Sequence, residues 1–307
     1  VSGFRLLREW CIIATVATLL VLVFSLTGWS DRADNALYDR LISARAPSPS
    51  DEITIIAIDN RSLQALGRWP WPRYVHTKML TQLAKTHPKT VSYDVLFNEP
   101  SADDALLAGA IKHASPVYLP LLFEAAGPNS DLAHASKPAP LLAKAAAGLG
   151  HVNVRFDSDG LVRSADVTLA ADQQRWPHLM VQASGRPPPV NPVLPIAFQP
   201  RTESFRTASF IDVLNGEVPD VFLRNKRVLV GAMGDGMGDQ FPVPLTGGGL
   251  MYGIDLQANM LNTILAGVRI TILPRWASAI FGLIPLWILL GGFWRWRPRL
   301  ILAASLL

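Results

Sequence analysis

Two stretches of the chain carry no charged residue. Residues 11–28 read CIIATVATLLVLVFSLTG, and Trp10 and Trp29 bracket them as interfacial anchors do. Eighteen residues at ~1.5 Å rise cross ~27 Å, close to the thickness of a hydrocarbon core. The second stretch, WASAIFGLIPLWILLGGFW, spans residues 276–294 and is followed at once by Arg295, Arg297 and Arg299; Arg5 and Arg8 precede the first. Basic residues stay on the cytoplasmic side of a membrane. The expected organisation is therefore a cytoplasmic tail (1–9), a membrane helix (10–29), an extracytoplasmic domain (30–273) and a second membrane helix (274–294). A cytoplasmic loop (295–299) and the start of a further membrane helix (300–307) complete it. A cleaved signal peptide is the competing reading of the first stretch, but the run is long for one and no A-x-A site follows it.

Between these stretches the pattern becomes periodic. DRADNALYDRLISARAP predicts an amphipathic helix stopped by Pro47 and Pro49, with Leu37, Leu41 and Ile42 on one face. ITIIAID (53–59) is a continuous apolar run, as in a strand buried on both faces. A helix opening at Pro72, a strand TVSYDVLF (90–97), a helix DDALLAGAIKHA and a strand PVYLPLLF follow. Strands alternating with helices at this spacing indicate a parallel sheet covered on both faces. HVNVRFDSDGLVRSADVTLA carries Asp159-Gly160 between two alternating runs, a hairpin signal. Beyond it, residues 205–215 are expected to be helical, RVLVGAM (227–233) a buried strand and GIDLQANMLNTILAG an amphipathic helix closed by Gly267. SGRPPPVNPVLP (184–195) reads as an irregular loop. The expected fold class is α/β: a mixed sheet with a parallel core flanked by helices, plus an antiparallel hairpin section, bracketed by transmembrane helices.

Composition narrows this picture only slightly. Of 307 residues, 50% are hydrophobic, and part of the +4 net charge belongs to membrane-flanking arginines, so no nucleic-acid partner is expected. Cys11, inside the first apolar run, is the single cysteine, which excludes disulfides and thiol chemistry from the external domain. About 245 residues suffice for one packed core without such staples.

Chemistry is sparse. Asp59 and Asp94 stand at the C-terminal ends of predicted parallel strands, beside the crevice where open α/β sheets bind ligands. Equally, they can cap the following loops or pair with Arg61, Arg68 or Arg73. LGRWPWPRYVH (66–76) is read as a structural corner at that crevice, with Trp69 and Trp71 as wall or plug and Arg73 in reach of Asp59 or Asp94. FDSDGLVR opens like a calcium loop, but Leu161 occupies a position that needs an oxygen ligand and Thr168 stands where the closing bidentate glutamate belongs. GAMGDGMGD fits neither phosphate-loop pattern. With no G-x-S-x-G elbow and no ligand spacing among the six histidines, no catalytic residue, metal site or cofactor is expected.

Four blocks in order carry a resemblance: IAIDNRSLQALGRWPWPRYVHTKML, VSYDVLFNEPSADD, HVNVRFDSDGLVRSA and GGGLMYGIDLQANMLNTILAG. Together they resemble the second type of CHASE domain, the cyclase/histidine-kinase-associated sensory extracellular domain, from about Asp34 to about Leu273. The resemblance implies a sensor outside the cytoplasm, in a multi-pass protein of the inner membrane, that relays to a cytoplasmic cyclase or kinase and acts as a homodimer. The partners expected are the lipid bilayer and an extracytoplasmic signal such as a small molecule. Residues expected at the ligand crevice are Asp59, Arg61, Trp69, Trp71, Arg73, Asp94, Asn153, Arg163 and Asp239. Gln257 stands where the family pattern leads one to expect histidine before Ala-Asn. The rival reading is an anchored external enzyme or binding protein without signalling output.

Overall fold

The computed structural model describes residues 3–28, 31–44, 46–124, 134–171, 173–201, 204–237, 240–245, 249–270 and 274–292. The expected cytoplasmic loop and third membrane helix lie outside these residues. The chain divides into a domain, Asp39–Arg269, and a terminal unit formed by Val1–Tyr38 and Ile270–Leu307.

The chain opens with helices α1 (Gly3–Thr27) and α2 (Asp31–Ala44), the second ending just before Pro47, close to where the sequence stops it. The domain then alternates strand and helix through β1 (Ile53–Ile58), α3 (Asn60–Leu66), α4 (Arg73–Thr86), β2 (Thr90–Tyr93), α5 (Asp104–His113) and β3 (Val117–Glu124). It continues with β4 (His134–Ser136), α6 (Pro140–Ala145) and β5 (Gly148–His151). Next come β6 (Ser164–Asp166), β7 (Thr168–Ala171), β8 (Gln174–Pro177), α7 (Leu179–Ser184), β9 (Val193–Pro195), β10 (Arg206–Ser209) and α8 (Phe210–Asn215). The domain closes with β11 (Arg227–Ala232), β12 (Gln240–Pro242), β13 (Leu250–Tyr252) and α9 (Gly253–Ala266).

β10, β1, β11, β2 and β3 run parallel in that order, β5 pairs parallel with β3, and β4 pairs antiparallel with the end of β3. Every residue of β1 is buried, which is why its sequence shows no alternation. Its Ile56 and Ile58 pack with Met79 and Leu83 of α4 and Leu107 of α5. Ile53 and Ile55 face the opposite layer, with Met180 of α7 and Ile254 and Leu261 of α9. The β5–α7 contact is so close that a Cβ on Gly150 would lie 2.5 Å from the Leu179 Cα. The mixed sheet between helical layers agrees with the expected fold class.

Several local expectations change, and the strand expected over residues 90–97 ends at Tyr93. Residues 205–215 are not one helix: Arg206–Ser209 forms a parallel edge strand on β1 before α8 begins. The Asp159-Gly160 turn exists, with Gly160 at φ 81°, but a single bridge, Arg155–Ser164, joins its arms. Its first arm leads back to β5 in the parallel sheet, and its second continues as β6, which pairs with β9. The last three residues of the proline-rich loop thus form a strand. Finally, α9 is buried at every position from Gly253 to Thr263 rather than on one face. Its polar side chains substitute for backbone partners: Asn259 and Thr263 accept the Gln199 and Ala197 N–H groups at 2.8 and 3.0 Å, and Asn262 accepts that of Ser50 at 3.1 Å. Such pairing removes the penalty of burying those amides.

In the terminal unit, α1 packs against α10 (Arg275–Gly292) in antiparallel fashion. Trp10 Nε1 donates to the Leu290 carbonyl at 3.1 Å, and its ring meets Trp287 edge-on at 6.2 Å. Both helices are long and apolar enough to cross a membrane.

Candidate functional site

A cavity of about 530 Å³ opens at the C-terminal ends of the parallel strands. Its floor comes from residues just after β2 (Asp94–Phe97) and β5 (Val152–Val154) and from Ala232 at the end of β11. One wall is the Trp-Pro corner with Arg73 and His76 of α4; another is Gly253, Leu256, Gln257 and Met260 of α9. Phe156, Val162, Ser164 and Phe241 of the antiparallel section close a third side.

The corner is built as a wedge. Pro72 caps α4, and its fixed extended backbone (φ −66°, ψ 155°) starts the helix without needing an N–H. Trp71 is buried and donates Nε1 to the Gly67 carbonyl at 2.9 Å; Trp69, half-buried, meets it edge-on at 5.1 Å. His76, one helical turn after Arg73, hydrogen-bonds Tyr93 Oη through Nδ1 at 2.8 Å and packs against Phe97. Burial, with the nearby Arg73 charge, holds the His76 pKa down at about 4, so the ring is neutral at ordinary pH. Burial also pushes the Tyr93 phenol up.

Arg73 donates Nε to Asp104 at 3.1 Å and Nη2 to the Glu99 carbonyl at 2.8 Å, and its guanidinium lies 4.5 Å over the Phe97 ring. Arg73 is thus paired with Asp104 rather than, as expected, with Asp59 or Asp94. Asp94 accepts a hydrogen bond from Gln257 Nε2 across the cavity floor. The Gln257 Oε1 is buried and has no donor among the described residues, a situation that costs about 1–3 kcal/mol when nothing else supplies one. Asn153 pairs both ways with the Phe123 backbone, at 2.9 Å each, two residues past the last β3–β5 pair, Leu121–His151.

Two further histidines meet behind the wall. His178, a lining residue, accepts the Met180 N–H on Nδ1 at 3.1 Å, which assigns its proton to Nε2. His151 sits edge-on to it at 4.9 Å. Burial lowers both pKa values, that of His151 to about 4 and that of His178 well below its usual value. Both rings are neutral.

Residues 15–293 match the profile of the CHASE2 domain. The chain belongs to the CHASE2 family. CHASE2 domains are sensory extracellular domains of signalling receptors. No curated protein and no solved structure matches the chain.

Of the residues expected at the crevice of this CHASE2 domain, Trp69, Trp71, Arg73, Asp94 and Asn153 line the cavity together. Asp59, Arg61 and Arg163 are not among its lining residues. Asp59 caps α3, accepting from Ser62 N, Ser62 Oγ and Ser209 Oγ at 2.9, 2.6 and 2.9 Å. Arg61 is exposed and pairs with Asp212 through two bonds. Arg163 is buried between three carboxylates: Asp39 of α2 at 2.7 and 2.9 Å, Asp157 at 3.0 Å and Asp159 at 2.9 Å. These bonds raise its pKa still further. Its chain neighbours Val162 and Ser164 are both on the cavity wall. Asp239 lies outside the described residues.

His76, His178 and the aromatic residues Phe156 and Phe241 are not singled out by sequence. For His76 the signal was its spacing of three from Arg73 on one helix face; His178 and His151 are separated by 27 positions, and nothing local announces their meeting. The cavity is within the usual size of small-molecule sites and is mostly apolar with a few polar groups, as such sites are. Among the described residues no group of three or more His, Cys, Asp or Glu converges as metal ligands do.

Proposed function

We propose that this CHASE2 domain binds an extracytoplasmic small molecule in the cavity at the C-terminal edge of its sheet. In this reading the protein is a multi-pass receptor of the inner membrane, with the domain in the periplasm or outside the cell and α1 and α10 in the bilayer. It works as a homodimer and relays occupancy through its membrane helices to a cytoplasmic output enzyme, a nucleotide cyclase (adenylate or diguanylate) or a kinase. The observation that carries the reading is the cavity itself. In a sensory domain, about 530 Å³ of mostly apolar space is framed by Arg73, Asp94, Asn153 and Gln257 at the sheet edge, where α/β folds bind ligands. Relay requires that the molecule bind one arrangement of the domain more tightly than another.

The test is mass spectrometry of small molecules retained by the full chain extracted in native nanodiscs, compared with Val154→Trp, which fills the cavity. The wild type is expected to retain a molecule that the folded variant loses at least tenfold. Equal retention by both proteins would overturn the reading.

A further inference from the structure

On α9, Gln257 is held by one end of its amide. The residue is 7% exposed, and its Nε2 donates to Asp94 Oδ2. A carboxylate only accepts, so Asp94 fixes which end of the amide faces it and turns the carbonyl oxygen away. That oxygen is buried without a donor among the described residues, although Gln257 forms part of the cavity wall. Buried acceptors in folded proteins are almost always paired, and an exception needs a cause. A donor on a bound molecule would supply one.

Several other polar groups of the wall have partners already. Asn153 is engaged at both ends of its amide by the Phe123 backbone, His178 Nδ1 holds the Met180 N–H, and the Arg73 charge is matched by Asp104. Around them the wall is ring-sized and apolar, with Trp69, Phe97, Phe156 and Phe241. We propose that the cavity takes an apolar, ring-bearing molecule whose head group, an amine or a hydroxyl, donates a hydrogen bond to Gln257 Oε1 beside Asp94. The same geometry selects against carboxylate heads, which would set acceptor against acceptor at Gln257. This inference rests on the reading of the cavity as the sensory site.

Four probes sharing one ring separate the head groups: tryptamine, tryptophol, indole-3-acetate and 3-methylindole. Each is titrated calorimetrically into the full chain in lipid nanodiscs, with empty nanodiscs as the blank. Tryptamine and tryptophol are expected to bind at least tenfold more tightly than 3-methylindole, with indole-3-acetate weakest. Tryptamine ahead of tryptophol would identify an ammonium as the preferred donor, and the reverse a hydroxyl. In Gln257→Met the advantage of the two donors over 3-methylindole should vanish. The proposal is overturned if indole-3-acetate equals or exceeds the donors, if the donor advantage survives Gln257→Met, or if no probe binds. Because the ranking is measured on the unmodified protein, a variant that fails to fold does not remove the test. Equal binding of all four probes, abolished by Val154→Trp, would sink the head-group proposal while leaving the cavity as the sensory site. Retention of no molecule in the mass-spectrometric experiment sinks the broader reading instead.

Discussion

Arg73 and Arg163 both come from sequence blocks that mark the family, and both are largely buried, yet their surroundings differ in kind. Arg73 has one carboxylate, one carbonyl and a ring face, and it lines the cavity. Arg163 has four bonds to three carboxylates and does not. The Trp-Pro corner thus places a cation on a wall, whereas the Asp157–Arg163 turn uses its cation as a rivet. Two arginines that look equivalent in sequence are therefore divided by the number of acids that gather around them.

The sharpest way to break this comparison is to remove each cation. Arg163→Ala leaves three carboxylates facing one another without a counter-charge, and a loss of about 3–5 kcal/mol is expected. Arg73→Ala should cost at least about 1 kcal/mol less, since Asp104 still accepts the Ser101 N–H at 2.9 Å. Urea unfolding of the full chain in micelles ranks them; the opposite order would refute the division.

Acid is the next lever, and it acts on the corner. The folded His76 pKa lies near 4, below the ordinary 6.5, so the unfolded chain takes up the proton first as pH falls. The stability from keeping His76 neutral is full above pH 6.5 and is lost progressively towards pH 4, by up to about 3 kcal/mol. Tryptophan fluorescence, to which Trp69 and Trp71 contribute among nine tryptophans, should show a shallower acid transition in His76→Phe than in the wild type. His151 titrates in the same window and direction, so part of the slope will remain. An unchanged slope in His76→Phe would show that this ring contributes nothing to it.

The smallest effects should come from the two expected crevice residues that lie off the cavity wall. Asp59→Ala removes a cap that also holds Ser209 and is expected to cost about 1–2 kcal/mol. Arg61→Ala breaks an exposed pair and should stay within about 0.5 kcal/mol. Neither substitution should alter the head-group ranking of the indole probes; a change in that ranking would return these residues to the site.

What could be read in advance follows from the range of the forces involved. The buried parallel strands were legible because burial on both faces forces a continuous apolar run, as in Ile53–Ile58. The edge strand Arg206–Ser209 was not, since an edge tolerates polar residues and RTAS carries no such run. α3 went unread because NRSLQAL is too short to show a period; its only signal was Asp59 three positions before Ser62. Within the site, Trp69, Trp71, Arg73 and Asp94 were legible because they follow strand ends. Their partners were not: Asp104 for Arg73 and Gln257 for Asp94 are brought in by tertiary packing from far along the chain, as are Phe123 for Asn153 and Asp39 for Arg163. The polar face of α9 misled for a related reason, because its amides are spent on neighbouring backbone instead of on water.

One consequence of the Arg163 rivet is mechanical. Val162 and Ser164 touch the cavity, and the residue between them is bolted to Asp39 of α2. Wall and helix are therefore a single peptide apart, joined through four short charged bonds rather than through a run of deformable side chains. Such a joint has little play. A displacement of that wall must take Asp39 with it or break the bonds that Arg163 makes there.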